Sequence, residues 1–252
     1  MSPTLRTRIA CTVYPSAGAA ALAVADELRA RLAGYPSLVL GLPTGNTPVP
    51  FYQELSRLHR AGLLSLAQAT SFNLDEYLGL APGDPRSFRA WMQTQLFSQV
   101  DLPANRTHLP DPVEPAAAPE ESRRYEQLIR EVGGIDWMLL GIGRNGHIGF
   151  NEPGSARTSR TRLVELEAKT IADAAKTFGG EQHVPRRAIT MGIGTILEAR
   201  AIRVMAFGSA KAEIVQRALT AEPTELVPAS LLAGHADVRF LLDAESAQLL
   251  GQ

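Results

Sequence analysis

The chain has 252 residues, of which 45% are hydrophobic and 20% charged, and its formal net charge is −1. This length and composition are typical of one globular α/β domain that buries a core of its own. The balanced charge gives no basic excess, so we expect neither nucleic acid nor a membrane surface as a partner.

The sequence also lacks the features of exported and membrane-spanning proteins. No run of about 18 apolar residues predicts a membrane span, and residues 1–18 hold no apolar core of a signal peptide. Cys11 is the one cysteine, and a lone cysteine cannot form an internal disulfide, as is usual in a reducing compartment. We therefore expect the protein in the cytoplasm.

Short apolar runs alternate with amphipathic stretches along the chain. Helices are predicted over residues 16–33, 49–61, 86–99, 120–132, 210–220 and 244–250. Strands are predicted over residues 37–42, 68–74 and 135–141, and near 162–166, 201–207 and 238–242. This alternation predicts an α/β fold with a doubly wound, mostly parallel, Rossmann-like sheet that carries helices on both faces.

The proline-rich segment 110–119 is where a boundary between two domains would fall. A linker there would cut the predicted sheet in two, so we interpret the segment as a surface connection. We therefore predict a single domain over residues 1–252. In such folds ligands bind at the carboxyl ends of the strands, so the residues that follow each strand form the candidate site.

The first such turn is Thr44-Gly45-Asn46-Thr47, between a predicted strand and a predicted helix. Gly45 permits positive φ, so successive backbone N–H groups can form an anion-binding nest. The helix start adds a partial positive charge, and Thr44 and Thr47 add hydroxyl donors. The pattern predicts a phosphate site, although it is not a Walker loop. An ordinary turn with a threonine N-cap is the alternative.

The second strand end carries Asp75 and Glu76. One of the two carboxylates can cap the next turn. The functional alternative is that Asp75 is a general base. Partial desolvation and the like charge of Glu76 would both raise its pKa toward the working range of a base.

Residues 141–154, GIGRNGHIGFNEPG, follow a third strand and begin with the pattern GxGxxG. Glu165 and Glu167 lie roughly 20 residues further on, as in dinucleotide-binding sites. That fingerprint requires a helix that begins at the glycines, and the glycines and proline of HIGFNEPG would break one. We therefore disfavour a dinucleotide.

His147 lies in this glycine-rich loop, where core packing explains a histidine poorly. Histidine can take up and return a proton near neutral pH, and Glu152 can orient it. A metal site through Asp75, His147 and Glu152 is the alternative, but their spacing is not that of a helical metal site and no second histidine is near. We expect acid–base chemistry with no metal ion and no organic cofactor.

Three sequence blocks, LGLPTGNTP, SFNLDEYLGL and LGIGRNGHIGFNEPGS, resemble the glucosamine-6-phosphate deaminase family, also called glucosamine/galactosamine-6-phosphate isomerases. Weaker agreement in ITMGIGTILEA and FGSAK extends the resemblance over about residues 37–243. It implies an enzyme of amino sugar metabolism that isomerises and deaminates glucosamine 6-phosphate to fructose 6-phosphate and ammonia. Its partner would be a small amino sugar phosphate.

The resemblance also implies roles for single residues. The enolisation base falls on Asp75, the ring-opening histidine on His147 and its supporting glutamate on Glu152. Many members carry an aspartate where this chain has Asn145, which can still orient His147 by hydrogen bonding but adds no charge. Without that charge we expect His147 to have a lower proton affinity than in the aspartate members.

Phosphate binding falls on residues 44–47, on Lys211 in the GSxK segment and on Lys176, where an arginine is more usual. Lys176 lies in a segment, about 155–185, that the resemblance implies is a mobile lid. Arg162 matches the first residue of a basic pair that allosteric members use, but Val164 occupies the second. Allosteric control by an N-acetylated sugar phosphate is therefore not expected, and the sequence indicates no oligomeric state.

Three alternative functions remain at this point. The motifs do not distinguish glucosamine from its galactosamine epimer. A 6-phosphogluconolactonase-like hydrolase would not need the Asp75-Glu76 block or the NEP block. A non-catalytic sugar-phosphate sensor of the kind found in bacterial regulators would carry a DNA-binding helix-turn-helix, and the chain has no basic patch for DNA.

Overall fold

The computed structural model describes residues 8–81, 83–111 and 114–250. Its strands are β1 (Ala10–Tyr14), β2 (Val39–Leu42), β3 (Thr70–Asn73), β4 (Asp75–Tyr77), β5 (Thr107–His108), β6 (Trp137–Gly141), β7 (Arg162–Glu165), β8 (Arg187–Thr190), β9 (Ile202–Ala206) and β10 (Val238–Asp243). Its α-helices are α1 (Ala17–Gly34), α2 (Val49–Arg60), α3 (Phe88–Gln95), α4 (Ala118–Glu131), α5 (Ala168–Phe178), α6 (Ile193–Leu197) and α7 (Ala212–Thr220).

Seven strands form a central sheet in the order β1-β10-β9-β6-β2-β3-β5. Every pair of neighbours in this sheet runs parallel. Because parallel neighbours need long crossover connections, the helices between the strands must pack on its faces. The carboxyl ends of all seven strands therefore lie at one edge, where the candidate site was predicted.

Both faces of the sheet are covered. Along β6 the side chains alternate, so Trp137 and Leu139 pack with α1, α2 and α3, whereas Met138 and Leu140 pack with α4, α6 and α7. This is the alternation of a strand that is buried on both sides. The predicted doubly wound α/β fold with helices on both faces is confirmed.

The first helix shows why the sequence folds as predicted. The hydroxyl of Ser16 accepts a hydrogen bond from the backbone N–H of Ala19 at 3.2 Å and so caps α1. Val24, Leu28 and Leu32 follow at helical spacing and are buried against the sheet. The cap defines where the helix begins, and the apolar stripe fixes the face that it buries.

A second sheet, in the order β4-β8-β7, is antiparallel. Only one residue, Leu74, separates the end of β3 from the start of β4, so this small sheet lies at the carboxyl edge of the large one. It packs against α5 through an aromatic cluster that includes Tyr77, Phe150 and Phe178. The small sheet and α5 thus form one wall beside the strand ends.

Three sequence predictions need correction. The helix predicted over 244–250 is wrong: the segment consists of turns, since Asp243 accepts the N–H of Ser246 and the Ser246 hydroxyl donates to the carbonyl of Ala206. The helix predicted over 86–99 is shorter, because α3 ends at Gln95 and a 3₁₀ turn follows. The strand near 162–166 exists as β7, but it belongs to the antiparallel sheet.

The proline-rich segment is only partly described. Residues 112 and 113 lie outside the described residues, and the part over 115–117 is a 3₁₀ turn that leads directly into α4. The single domain over 1–252 and the mobile lid over 155–185 remain predictions. No helix in the described part of the chain is long and apolar enough to cross a membrane.

Candidate active site

The predicted residues converge on a cleft of about 310 Å³ at the carboxyl edge of the sheet. Its walls are the turn after β2, the start of β4, the loop after β6, helix α5 and Lys211. A larger cleft of about 860 Å³ lies elsewhere, between α4 and β7. We place the candidate active site in the smaller cleft because acid–base and anion-binding groups meet there.

The turn after β2 has the geometry of an anion-binding loop. Gly45 has a φ of +93°, a conformation that other residues rarely adopt. The base of the turn is fixed, since Tyr52 Oη donates to the carbonyl of Pro43 at 2.6 Å and Asn73 Nδ2 donates to that of Leu42 at 2.9 Å. The four residues Thr44, Gly45, Asn46 and Thr47 all line the cleft.

The alternative role of this turn, a threonine N-cap, is wrong. Pro48 is the N-cap of α2, and no side chain caps that helix. Within the described residues the hydroxyls of Thr44 and Thr47 have no hydrogen-bond partner. Both hydroxyls are therefore free to donate to a ligand in the cleft.

The two adjacent carboxylates have separate functions. Glu76 is 1% exposed and accepts the backbone N–H groups of Tyr77, Phe88 and Arg89, so it caps the start of α3. Asp75 is 5% exposed, lines the cleft and has no hydrogen-bond partner in the part of the chain described. The capping function predicted for one of the pair thus belongs to Glu76, and Asp75 is left facing the cleft.

The surroundings of Asp75 change its acidity. Burial, and secondarily the charge of Glu76, raise the pKa of Asp75 from an ordinary value near 4 to about 8. A carboxylate without donors is a stronger base than one that accepts hydrogen bonds. Asp75 therefore has the properties of a general base that works near neutral to mildly alkaline pH.

The loop after β6 is shaped around His147. Gly143 lies directly beneath the imidazole, since a Cβ at this position would lie 2.3–2.4 Å from the ring atoms. The backbone N–H of Gly143 donates to the carbonyl of His147 at 2.8 Å, which closes the loop. No helix begins at these glycines within the described residues, so the chain lacks the structure that a dinucleotide fingerprint requires.

Glu152 lies against the imidazole and is itself fixed. Its Oε2 lies 3.3 Å from His147 Nδ1, a close contact without the alignment of a hydrogen bond. The same oxygen accepts from Asn145 Nδ2 at 2.8 Å, and Oε1 accepts from the hydroxyl of Thr170. Burial raises the pKa of Glu152, but His147, Thr170 and Asn145 outweigh it and hold that pKa below its usual value.

Asn145 acts on the backbone rather than on the imidazole. Its Oδ1 accepts the backbone N–H of His147 at 3.2 Å, while its Nδ2 donates to Glu152 and, at 3.0 Å, to Glu167. Asn145 therefore ties the histidine loop to the glutamate and to the residue before α5. The four residues predicted for catalysis, Asp75, Asn145, His147 and Glu152, are brought together in one site.

The two lysines predicted to bind phosphate differ in position. Lys211 lines the cleft, where Nζ donates to the carbonyl of Ile142 at 2.9 Å and burial lowers its pKa. Lys176 is exposed and does not line the cleft, whereas Asp173, Ala174 and Thr177 of the same helix do. The structure thus places Lys211 in the same cleft as residues 44–47 and leaves Lys176 outside the lining of that cleft.

Several residues of the cleft were not predicted from the sequence, and Thr170 and Arg86 are two polar ones among them. Thr170 lies on α5, a helix that was not predicted, and no motif marks it. Arg86 lies in the turn before α3 and lines the cleft beside Phe88 and Trp91. Arg86 lies two residues before the start of α3, and no sequence motif indicated a function for it.

Other predictions are only partly addressed by the geometry. Among the described residues, no three or more His, Cys, Asp and Glu side chains are grouped so that they could hold a metal ion. Arg162 donates to Asn151 Oδ1 at 2.8 Å and to Ser155 Oγ at 3.0 Å, and Val164 lies on β7. The predicted absence of allosteric control remains a prediction.

An anion-binding turn, an unpaired buried carboxylate and a histidine–glutamate pair in one cleft define a protein that binds an anion and moves protons. Residues 15–240 match the model of the family described as glucosamine-6-phosphate isomerases/6-phosphogluconolactonase. The chain belongs to this family.

Several relatives carry a more specific description. A glucosamine-6-phosphate deaminase of Rhodopirellula baltica is 48% identical over 89% of this chain and 92% of its own length. Glucosamine-6-phosphate deaminase 2 of Giardia intestinalis is 46% identical over 89% of this chain and 85% of its own length.

Solved structures agree with this. The structure of a monomeric glucosamine-6-phosphate deaminase superposes with a TM-score of 0.92 at 40% identity, covering 96% of this chain and 100% of that one. The 6-phosphogluconolactonase of Trypanosoma brucei superposes with a TM-score of 0.73 at 22% identity, covering 95% and 98%. The second similarity concerns the fold alone.

The raised pKa of Asp75 predicts a stability effect of Asp75→Asn. The folded protein keeps the Asp75 proton that the unfolded chain loses as pH rises from about 4 to about 8. Wild-type stability is therefore lost across this window, whereas the asparagine variant has no such proton to lose. We therefore expect the stability of Asp75→Asn relative to wild type to be greater at pH 8 than at pH 5. Each ~1 kcal/mol of added stability should raise Tm by ~2–4 °C.

The measurement is thermal unfolding of both proteins at pH 5 and pH 8. Asp26→Asn, which removes a carboxylate from the exposed face of α1, is the matched control. An equal change in Tm at both pH values for Asp75→Asn would show that Asp75 ionises in the folded protein as it does in the unfolded chain.

Proposed function

We propose that the protein converts glucosamine 6-phosphate into fructose 6-phosphate and ammonia. The observation that carries the proposal is Asp75, a buried carboxylate that lines the same cleft as His147 and accepts no hydrogen bond from the described residues. Removal of a proton from carbon requires a strong, desolvated base. Opening of a sugar ring requires a group that can both take and give a proton, and His147 has this ability.

Binding of the phosphate comes first. The backbone N–H groups and hydroxyls of residues 44–47 bind its oxygens, and Lys211 adds a positive charge. This anchor fixes the sugar so that C1 and C2 lie between Asp75 and His147. Lys176 remains a predicted phosphate ligand, but α5 would have to turn so that Lys176 faces the cleft.

Ring opening is the task of His147. The imidazole takes the proton from the O1 hydroxyl and returns it to the ring oxygen, which breaks the C1–O5 bond and gives the open-chain aldehyde. Glu152 stabilises the imidazolium that forms in between, and Asn145 and Thr170 keep Glu152 in place.

Isomerisation and deamination follow at C2. Asp75 removes the C2 proton, and the electron pair forms the C1–C2 double bond of an enolamine. The π pair of the C1 carbonyl moves to O1, which takes up a proton and becomes a hydroxyl. Protonation at C1 gives an iminium at C2, and water adds to that carbon. Collapse of the adduct expels ammonia and leaves the ketone of fructose 6-phosphate. Each step is a proton transfer or an addition of water, so the residues of the cleft suffice.

The surroundings of Asp75 favour this reaction over hydrolysis of a lactone. A lactonase needs a base that activates water, which a histidine can supply, and needs no second base directed at carbon. This chain has such a second base in Asp75, which is buried and accepts no hydrogen bond from the described residues. The galactosamine epimer differs only at C4, away from these groups, and remains the alternative substrate. We propose the cytoplasm as the location, as the single cysteine, Cys11, favours.

The test is an assay for ammonia and fructose 6-phosphate with glucosamine 6-phosphate in the presence of EDTA. Galactosamine 6-phosphate, N-acetylglucosamine 6-phosphate and 6-phosphogluconolactone are assayed in parallel. We expect one ammonia per ketose from glucosamine 6-phosphate. No turnover of it, with turnover of the epimer or the lactone, would contradict the proposed substrate.

Asp75→Asn is the matched variant for this assay. The amide has nearly the shape of the carboxylate but cannot accept the C2 proton, so kcat should fall by about 10²–10⁴-fold or more. Binding of the sugar phosphate should change little, because its anchor lies in residues 44–47. A variant with near wild-type kcat would remove Asp75 from the role of base.

Gly143→Ala should separate catalysis from folding. Its methyl group would occupy the space of the His147 ring, and a ring at the end of a side chain can move aside at small cost to stability. The displaced imidazole loses its contact with Glu152, so we expect kcat to fall by about 10²-fold or more while Tm changes little.

The control is Gly34→Ala, where a methyl group meets open space. Both variants are compared with wild type by steady-state kinetics and thermal unfolding. A fully active Gly143→Ala enzyme would show that the position of His147 on this glycine is not required for the reaction.

A further inference from the structure

We propose that Arg86 is a second cationic ligand of the substrate's phosphate, held ready by Asp84 in the turn before α3. The proposal rests on the proposed function only in that the substrate carries a phosphate. Arg86 lines the cleft together with residues 44–47 and Lys211. We therefore give Arg86 the phosphate-binding role that the family resemblance implied for Lys176, since Lys176 does not line the cleft.

The guanidinium of Arg86 is held in one orientation. Nε donates to Asp84 Oδ1 at 2.9 Å, and Nη2 donates to Oδ2 at 2.5 Å. The backbone N–H of Arg86 also donates to Oδ1, at 2.8 Å, so the two residues form a closed unit. These hydrogen bonds hold the pKa of Asp84 down at about 2, which keeps the pair ionised.

Most of the donors of Arg86 remain free. A guanidinium has five N–H groups, and Asp84 uses two of them. In the part of the chain that the structure describes, the other three have no hydrogen-bond partner. Asp84 therefore occupies one edge of the fork and leaves another edge for a ligand, and phosphate is the ligand that this geometry fits.

The wall around Arg86 connects it with the base of the loop at residues 44–47 through packed side chains. The guanidinium carbon lies 5.3 Å from the ring centre of Phe178, at the end of α5. On α3, Trp91 packs edge-on against Tyr52 at 5.9 Å between ring centres, and Tyr52 holds the carbonyl of Pro43. The helix that follows Arg86 is thus packed on the base of the loop at 44–47.

The charge of the ligand requires more than one cation. A phosphate monoester carries about −1.5 to −2 charges near neutral pH. Lys211 is a half-buried cation, and its Nζ already donates to a backbone carbonyl. An arginine keeps its charge throughout the working pH range and can bind two phosphate oxygens at once.

The test is binding of inorganic phosphate, measured by isothermal titration calorimetry without turnover. We expect Arg86→Gln to weaken phosphate binding at least ~10-fold. Arg86→Lys keeps the charge but lacks the forked guanidinium, so its affinity for phosphate should lie between those of Arg86→Gln and wild type. Arg89→Gln is the matched control: Arg89 lies three residues further along, on α3, pairs with Asp111 and does not line the cleft. It should bind phosphate as wild type does.

Kinetics with glucosamine 6-phosphate give a second readout, in which Arg86→Gln should raise KM more than it lowers kcat. Unchanged phosphate binding in Arg86→Gln, or an equal loss in Arg89→Gln, would overturn the proposal and leave Arg86 as a structural partner of Asp84. Phosphate binding that depends on Arg86 would support the proposal even if wild type released no ammonia, so the two failures are distinguishable.

Discussion

The arrangement of the site depends on burying one carboxylate without partners. The Asp75 carboxylate loses water at the start of β4 and gains no hydrogen-bond donor among the described residues, which costs free energy unless the group takes up a proton. The fold tolerates this because the neighbouring Glu76 accepts three backbone N–H groups and anchors the same strand. One carboxylate stabilises the start of α3, and its neighbour is kept as a base.

The small antiparallel sheet fixes where this base lies. Asp75 pairs with Thr190 across β4 and β8, and the hydroxyl of Thr190 accepts the backbone N–H of Phe150 at 3.1 Å. Asp75 Oδ2 lies 3.4 Å from where a Cβ on Gly149 would be. The backbone of the histidine loop and the base are therefore held against each other by strand pairing. A fixed separation is needed because His147 acts at C1 of the proposed substrate and Asp75 acts at the adjacent C2.

Sequence alone predicted most of the central sheet and the edge at which the candidate site lies, because short apolar runs and helical stripes carry their own periodicity. It missed the strands β1, β4, β5 and β8 and the helices α5 and α6. Strands β4 and β5 have only three and two residues and show no pattern, and α5 carries Thr170 and Phe178. The turn at Thr44 and the loop at His147 were found by residue type and spacing. Arg86 was not found, because its role depends on tertiary contacts with Asp84 and Phe178 that no local pattern encodes.

Asp75 should stay protonated in the free protein until mildly alkaline pH. This can be measured directly by following the ¹³C resonance of the Asp75 carboxyl carbon through a pH titration, with Asp75→Asn to assign the signal. We expect a midpoint at about 8. A midpoint near 4, the ordinary value for an aspartate, would contradict it and would mean that Asp75 is solvated or paired in the folded protein.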